Sequence, residues 1–569
     1  MRSHLGLLCC GLVLASAGGC TLLDNSGSTT STGSTGSSGD TTSSSSGAGG
    51  ATGDDPCMGV PTQGQCVGTT KIQSCFVSEE SSTPPTIIES ICGAQQACQM
   101  VNGAALCKPT GACFEGATAC KDSQTMQECQ KGAWVETVCG GANSCIARPG
   151  AGASCGLQDP GSGITLKGHV DYEFHKVNAA LTDFDSKVSS EGAVDMFVTV
   201  FDDNNLIGMG LTSVGGNGAA AGDWQVNLSS APTDKTFVYF WPMLFDNNGN
   251  PRMAVAHAQS AMAQAQASDK YWNFGFGPVC ASGACGTKDM GNQLITEAEG
   301  SGAVHIYQWI DYGMFRVNSF IPSVTPLTMA VFWEPGNQFD CGNCFAPPQM
   351  GGGAVTYDTA NGLVDHYDSS INISGTDASP SQWGRTTISH ELGHWITQSY
   401  SKSPGEGGQH FVDQASKPGL AFSEGWATFS GQTNLSNSPA DNEPIAFRKS
   451  QGTSFWVDIA KVNWSGGVLD LPDPNGAIDQ PINENIVTVM LWSLWASGSA
   501  QAPQGLGDDP MFKVLTSQRL VGATNRGYIK VDAVDYLDAL TCEGFATNAQ
   551  IDAVAGPVNY PYDNAAVCP

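Results

Sequence analysis

The sequence predicts a multidomain chain built from a disulfide-rich tandem repeat, a β-sandwich and a C-terminal α+β domain. Three observations predict it. Twelve cysteines fall between Cys57 and Cys155 in two similar sets of six. From Gly163 to about Ala261 the apolar residues follow a period of two. Beyond 263, helices are expected over 386–399, around Glu424 and over 482–495 with a candidate edge strand at 352–358, and 569 residues are too many for one core. The chain carries 24 Lys+Arg against 53 Asp+Glu, a net charge of −29 that would repel phosphate backbones and excludes nucleic acid as a partner. Only 14% of residues are charged and glycine numbers 70, in keeping with a loop-rich and strand-rich chain.

The first element, residues 1–20, is a targeting segment. Arg2 supplies the basic start, Leu5 to Ala17 is an apolar run too short to span a bilayer, and Ala17-Gly18-Gly19-Cys20 follows. Small residues directly before a cysteine resemble a bacterial lipobox. That resemblance implies a lipid on Cys20, which would anchor an exported protein at the outer membrane or cell surface. Simple secretion is the alternative. Residues 21–56 form a linker in which Ser26 to Gly53 is nearly all Ser, Thr and Gly, a flexible coil reaching roughly 30 Å on average.

The second element, 57–158, is duplicated. Cys57, Cys66, Cys75, Cys92, Cys98 and Cys107 match Cys113, Cys120, Cys129, Cys139, Cys145 and Cys155. KIQSC recurs as TMQEC, and ESICGAQQAC as ETVCGGANSC. Units this short and polar cannot build a sufficient core, so an oxidising compartment staples them with disulfides. Six cysteines allow 15 pairings and spacing does not choose among them. A glycan- or protein-binding role and a rigid spacer are both compatible with such repeats.

The third element, 159–262, predicts an immunoglobulin-like or transthyretin-like sandwich. Val170, Tyr172 and Phe174 alternate with polar residues, as do Trp224, Val226 and Leu228. Runs such as DMFVTVF (195–201) and TFVYFW (236–241) suit buried strands, and DDNN (202–205) and DNNGN (246–250) suit turns. Those Asp/Asn turns are candidate Ca2+ sites, although the complete EF-hand pattern is missing.

The last element, 263–569, holds the motif that bears on function, TTISHELGHWITQS (386–399). Four residues apart on a helix, His390 and His394 present both imidazoles to one point. Glu391 projects about 100° from His390, within reach of a metal-bound water without ligating the metal. The flanking positions are uncharged or apolar, as a buried metal helix requires. A zinc hydrolase needs a third protein ligand and an open position for water. Thr397 and Tyr400 stand at the glycine and third-histidine places of the metzincin pattern and break it, and Glu424 in LAFSEGWATFSGQ (420–432) is the candidate on a second helix.

HExxH completed by a glutamate on a following helix resembles the gluzincins, and EGWA is most similar to the fungalysin branch of that thermolysin-like group. The likeness covers 386–432 closely, 482–495 loosely, and nothing before 263. It implies a zincin-like domain and a Zn2+ endopeptidase acting on a protein or peptide substrate. His390, His394 and Glu424 would be the ligands and Glu391 the general base. Two positions depart from the family. Thr428 stands where the family carries a carboxylate that accepts from a ligand histidine, and no histidine follows His410. An oxyanion stabiliser would then come from His410, Tyr400, Tyr528 or Arg526, with His410 favoured because its glycine-rich loop joins the two metal helices. Glu484 and Asn485 open the 482–495 helix, where a first-turn acid suits the helix dipole. GGAVTYD (352–358) is the candidate edge strand for an extended substrate. CASGAC (280–285) and CGNC (341–344) predict two disulfides, with a four-cysteine zinc knuckle as the alternative, and Cys542 and Cys568 predict a C-terminal staple. Two other functions fit the same motifs: a surface adhesin with an inactive peptidase-like domain, and a hydrolase of peptidoglycan peptides.

Overall fold

The computed structural model describes residues 163–569 apart from 217–218, 246–250, 259–269, 322–323, 325, 349–354, 359–363, 403, 405, 409, 436–444, 497–504 and 523–524. Before 163 it describes 59–61, 65–69, 71–76, 86–91, 96–101, 104–109, 118–122, 125–130, 133–139, 143–148 and 152–157. The targeting segment, Cys20 and the Ser/Thr/Gly linker lie outside the described residues, as does the turn 246–250. No described helix is long and apolar enough to cross a membrane.

The duplication has a structural counterpart. Gln65–Val67, Lys71–Phe76 and Thr86–Ile91 form a three-stranded sheet followed by the hairpin Gln96–Val101/Ala104–Pro109. Thr118–Asp122, Thr125–Gln130 and Ala133–Val138, with the hairpin Asn143–Arg148/Gly152–Leu157, repeat that order. Cys66 and Cys98 are bridged within the first repeat, and Cys139 and Cys145 of the second are disulfide-bonded. With so little apolar side chain to bury, such bridges carry much of the stability of each unit.

Strands β1 (Thr165–Val177), β2 (Phe184–Gly192), β3 (Phe197–Asp202), β4 (Asn205–Gly216), β5 (Ala219–Asn227) and β6 (Thr236–Trp241) follow. Next come β7 (Met243–Phe245), β8 (Pro251–Ala256), β9 (Phe274–Phe276) and β10 (Lys288–Ile295). The alternation expected from sequence is present: Val170, Tyr172, Phe174, Trp224, Val226 and Leu228 are all buried. The two-sheet sandwich is not. The strands pair in the single path β2-β1-β5-β4-β3-β6-β9, with β10 parallel to β1, and form a half-barrel. Long strands and register breaks explain the difference. Breaks at His175/Val177, Val200/Phe201 and Thr212/Val214 bend the sheet, so it curls instead of dividing.

Sheet membership also crosses residue 262. β7 and β8 leave the half-barrel and join a five-stranded sheet with β11 (Met329–Trp333), β12 (Cys344–Ala346) and β13 (Ser369–Ile373), in the order β7-β8-β11-β13-β12. β9 and β10, beyond 262, return to the half-barrel. β8, β11 and β13 are parallel, whereas β12 runs antiparallel at the edge. Of the segment 352–358, Val355–Asp358 is described and pairs with Val364–Tyr367 in a two-stranded hairpin apart from the five-stranded sheet, and 352–354 lie outside the described residues.

Helix α1 (Ser301–Phe320) packs between the half-barrel and α2 (Arg385–Tyr400), which is followed by α3 (Pro418–Asn434) and α4 (Glu484–Trp495). One apolar core runs from Leu166 of β1 through Ile310 and Trp395 to Tyr562. Close approach requires glycine at the helix crossings. A Cβ on Gly393 would lie 2.7 Å from the Ala427 Cα, and one on Gly425 would lie 2.5 Å from the Glu484 carbonyl oxygen. Cys280–Cys285, Cys341–Cys344 and Cys542–Cys568 are disulfides, so the four central cysteines are not a zinc knuckle.

Candidate metal centre

Two crossing helices bring the motif together. α2 contributes buried His390 and Glu391 and half-buried His394, and α3 contributes Glu424, nearly two turns after its Pro418 start. His390 Nε2 lies 3.0 Å from Glu424 Oε2 and 3.2 Å from His394 Nε2, and His394 Nε2 lies 3.4 Å from the same carboxylate oxygen. A tetrahedral zinc with bonds of about 2.0–2.1 Å sets its ligand atoms about 3.3–3.4 Å apart, so this donor set fits the ion closely. Two nitrogens and one carboxylate oxygen also match the ligand chemistry of a catalytic zinc, with one position left for water.

Each imidazole has a hydroxyl behind it. His390 Nδ1 is 2.9 Å from Thr428 Oγ1, and His394 Nδ1 is 3.3 Å from Ser423 Oγ. Thr428 thus takes the place expected of it, and Ser423, next to Glu424 in sequence, is a partner that the motif does not announce. Side-chain exposure is 4% for His390 but 15% for His394 and 26% for His410, so the centre opens on the His394 side.

His410 reaches that open side. Its Nε2 is 3.5 Å from Glu424 Oε2 and its Nδ1 is 2.6 Å from Glu484 Oε2. The acid that begins α4 therefore faces the cluster, rather than serving the helix dipole alone. The loop is pinned there. Asn483 and Asn485 both donate to the Val412 carbonyl, at 2.6 and 2.9 Å, and Tyr528 donates to Glu406 at 2.5 Å. Of the other candidate stabilisers, Tyr528 is held by that Glu406 contact, Arg526 by Asp538 and Asp563, and Tyr400 ends α2 against Trp395.

Burial and neighbouring charge set the protonation. Burial pushes the Glu391 carboxyl up, which suits a base that must also return a proton. Burial opposes charge on His410, but the carboxylates of Glu424 and Glu484 outweigh it and push the imidazole up to about 10. Burial likewise opposes charge on Glu424, yet His410 and His394 hold its carboxyl well below the usual range. His390 is driven well below its ordinary value, by burial first and then by the Arg448 guanidinium. Arg448 is a second residue that motif reading misses. It lies on β14 (Ile445–Ser450), 3.2 Å from Thr428 Oγ1 and in contact with His390 Nδ1.

Among the described residues, side chains that could hold a metal converge in two groups of three, His390/His394/Glu424 and His410/Glu424/Glu484, which share Glu424. Neither includes the Asp202–Asn205 turn considered for calcium, where Asp202 instead accepts from Thr236 at 2.8 Å. Compared with known proteins, the chain matches no family model, and no curated protein matches it.

Proposed function

We propose that the chain is an exported, zinc-dependent endopeptidase of the gluzincin kind, tethered through a lipid on Cys20, with a zincin-like domain built on the five-stranded sheet and α2–α4. The observation that carries this reading is the convergence of His390 Nε2, His394 Nε2 and Glu424 Oε2 within 3.0–3.4 Å of one another, beside buried Glu391. Zinc held by His390, His394 and Glu424 would supply a Lewis acid that acidifies water and polarises a peptide carbonyl. Glu391 takes the proton from the attacking water and delivers it to the departing amine. His410, kept cationic by Glu424 and Glu484, meets the negative charge that develops on the carbonyl oxygen. β12, whose other edge is paired with β13 and which has no further strand partner among the described residues, receives an extended substrate as an added strand. The disulfides suit an oxidising, extracellular compartment.

Hydrolysis of casein or a quenched fluorogenic peptide by the full chain tests the proposal. A chelator should abolish cleavage and zinc should restore it. Glu391→Gln should keep the metal yet cleave about 10²–10⁴-fold more slowly. Cleavage by Glu391→Gln at the parent's rate would refute the assignment.

A further inference from the structure

Arg448 stands where a zinc histidine usually finds an anion or a neutral acceptor. Its Nη2 lies 3.2 Å from Thr428 Oγ1 and touches His390 Nδ1, the same nitrogen that Thr428 faces at 2.9 Å. A guanidinium can only donate hydrogen bonds. His390 Nδ1 accepts from it only with a bare lone pair, which leaves the ring proton on Nε2. There the proton points at Glu424 Oε2, 3.0 Å away. Arg448, His390 and Glu424 then form a satisfied chain of donors and acceptors. Ligation through Nε2 requires the other tautomer, in which Nδ1–H donates to Thr428 Oγ1 and finds the Arg448 donor facing it.

Resting on the zinc reading above, we propose that Arg448 is a positioning residue that competes with the metal for His390, holding the ring in its non-ligating tautomer and loosening the grip of the centre on its ion. Nothing changes charge in the exchange. One proton leaves Nε2 for solvent, one from solvent reaches Nδ1, and the guanidinium releases the imidazole while keeping its bond to Thr428 Oγ1.

The half-barrel and α2 together hold the arginine in place, α2 through Thr386 Oγ1, which donates to the Phe447 carbonyl. β14 pairs with β15 (Thr453–Asp458), and this hairpin is gripped by β2 and the turn before it. Lys449 pairs with Asp183, Ser454 Oγ donates to the Thr182 carbonyl at 2.7 Å, and the rings of Phe184 and Phe447 meet at 5.5 Å. The residues on both sides of Arg448 are therefore tied to a sheet outside the centre as well as to α2, which makes metal affinity depend in part on that contact.

Two measurements on the full chain test this. Competition with a chromophoric chelator gives zinc affinity, and 15N shifts of histidine-labelled, chelator-treated protein give the His390 tautomer, assigned through His390→Ala. Arg448→Met should bind zinc about 10–100-fold more tightly than the parent, the range typical of an outer partner of a metal histidine. It should also move the ring from Nε2–H to Nδ1–H. Asp183→Asn, on a half-exposed side chain, should loosen the hairpin and tighten zinc in the same direction, and it serves if Arg448→Met fails to fold. A merely structural role predicts weaker binding, not tighter. Equal or weaker zinc binding by both variants, with His390→Ala abolishing it, would overturn the proposal alone. Absence of zinc from the parent and both variants would overturn the zinc reading and the proposal with it.

Discussion

Gly393→Ala tests whether α2 and α3 cross as closely as a shared metal centre requires. The new Cβ would lie 2.7 Å from Ala427 Cα, 2.9 Å from its carbonyl oxygen and 3.1 Å from its Cβ, whereas ordinary contact begins near 3.4 Å. Two helix backbones cannot yield as a side-chain tip can, so α2 and α3 must part by about 0.7 Å, or shear past one another by a similar distance. Overpacking of this kind costs about 1–3 kcal/mol. The better helix propensity of alanine offsets up to about 1 kcal/mol, and the full offset leaves a net loss of roughly 0–2 kcal/mol. The effect on metal should exceed the effect on folding. His390 and His394 ride on α2 and Glu424 on α3, only 3.0 and 3.4 Å apart, and zinc tolerates about 0.2 Å of error in its bonds. Thermal melts and chelator competition on parent and variant provide the assay. The expected result is a lower melting temperature and zinc affinity reduced at least tenfold. The sign decides the matter, because alanine on a helix face with free space would raise the melting temperature. A variant that melts higher and holds zinc like the parent would refute the crossing.

Glu484→Gln should keep zinc but lower kcat more than it changes KM, since it weakens the hold on the His410 cation and leaves all three ligands intact; equal kinetics would place His410 outside the reaction. Burial, with Asp195 nearby, pushes the Asp311 carboxyl up to about 7, so the folded chain keeps a proton that the unfolded chain releases above its ordinary value near 4. That raised value contributes stability at low pH that is lost as pH rises from about 4 to 7. Asp311→Asn should therefore gain on the order of 4 kcal/mol at pH 8 relative to pH 4 and flatten that slope in denaturant melts; an unchanged slope would count against the burial. The Cys66–Cys98 bridge joins the second and fifth cysteines of its repeat, so the duplication predicts Cys120–Cys145 in the other. Mass spectrometry of a non-reduced digest should find that bridge and none between the repeats.

Much of the local structure was legible because periodicity reports which face is buried. The helix expected over 386–399 runs from Arg385 to Tyr400, the one expected around Glu424 from Pro418 to Asn434, and the one over 482–495 from Glu484 to Trp495. TFVYFW is the strand Thr236–Trp241, with alternate residues more deeply buried. Sheet membership was not legible. Strands with the same alternation can pair in one curled sheet or two flat ones, and only bulges and cross-strand contacts choose. β7 and β8 illustrate this, since a few apolar residues in PRMAVA do not reveal that β8 pairs in parallel with a strand more than seventy residues later. At the centre, HExxH announced His390, Glu391 and His394 because helical spacing alone brings the imidazoles together. Glu484 gave an ambiguous signal, because an acid in a first helical turn is favourable with or without a partner. Arg448 gave none. IAFRKS reads as a plain strand, and the docking of its hairpin on α2 and β2 carries the guanidinium to His390.

The proposed function requires one zinc between α2 and α3. Anomalous diffraction from crystals of the zinc-loaded chain, measured at the zinc absorption edge, addresses it directly. The account predicts one peak per chain, about 2.0–2.2 Å from His390 Nε2, His394 Nε2 and a Glu424 carboxylate oxygen. A zinc-loaded crystal with no peak there, or with its zinc bound elsewhere while these three side chains hold only one another, would contradict it.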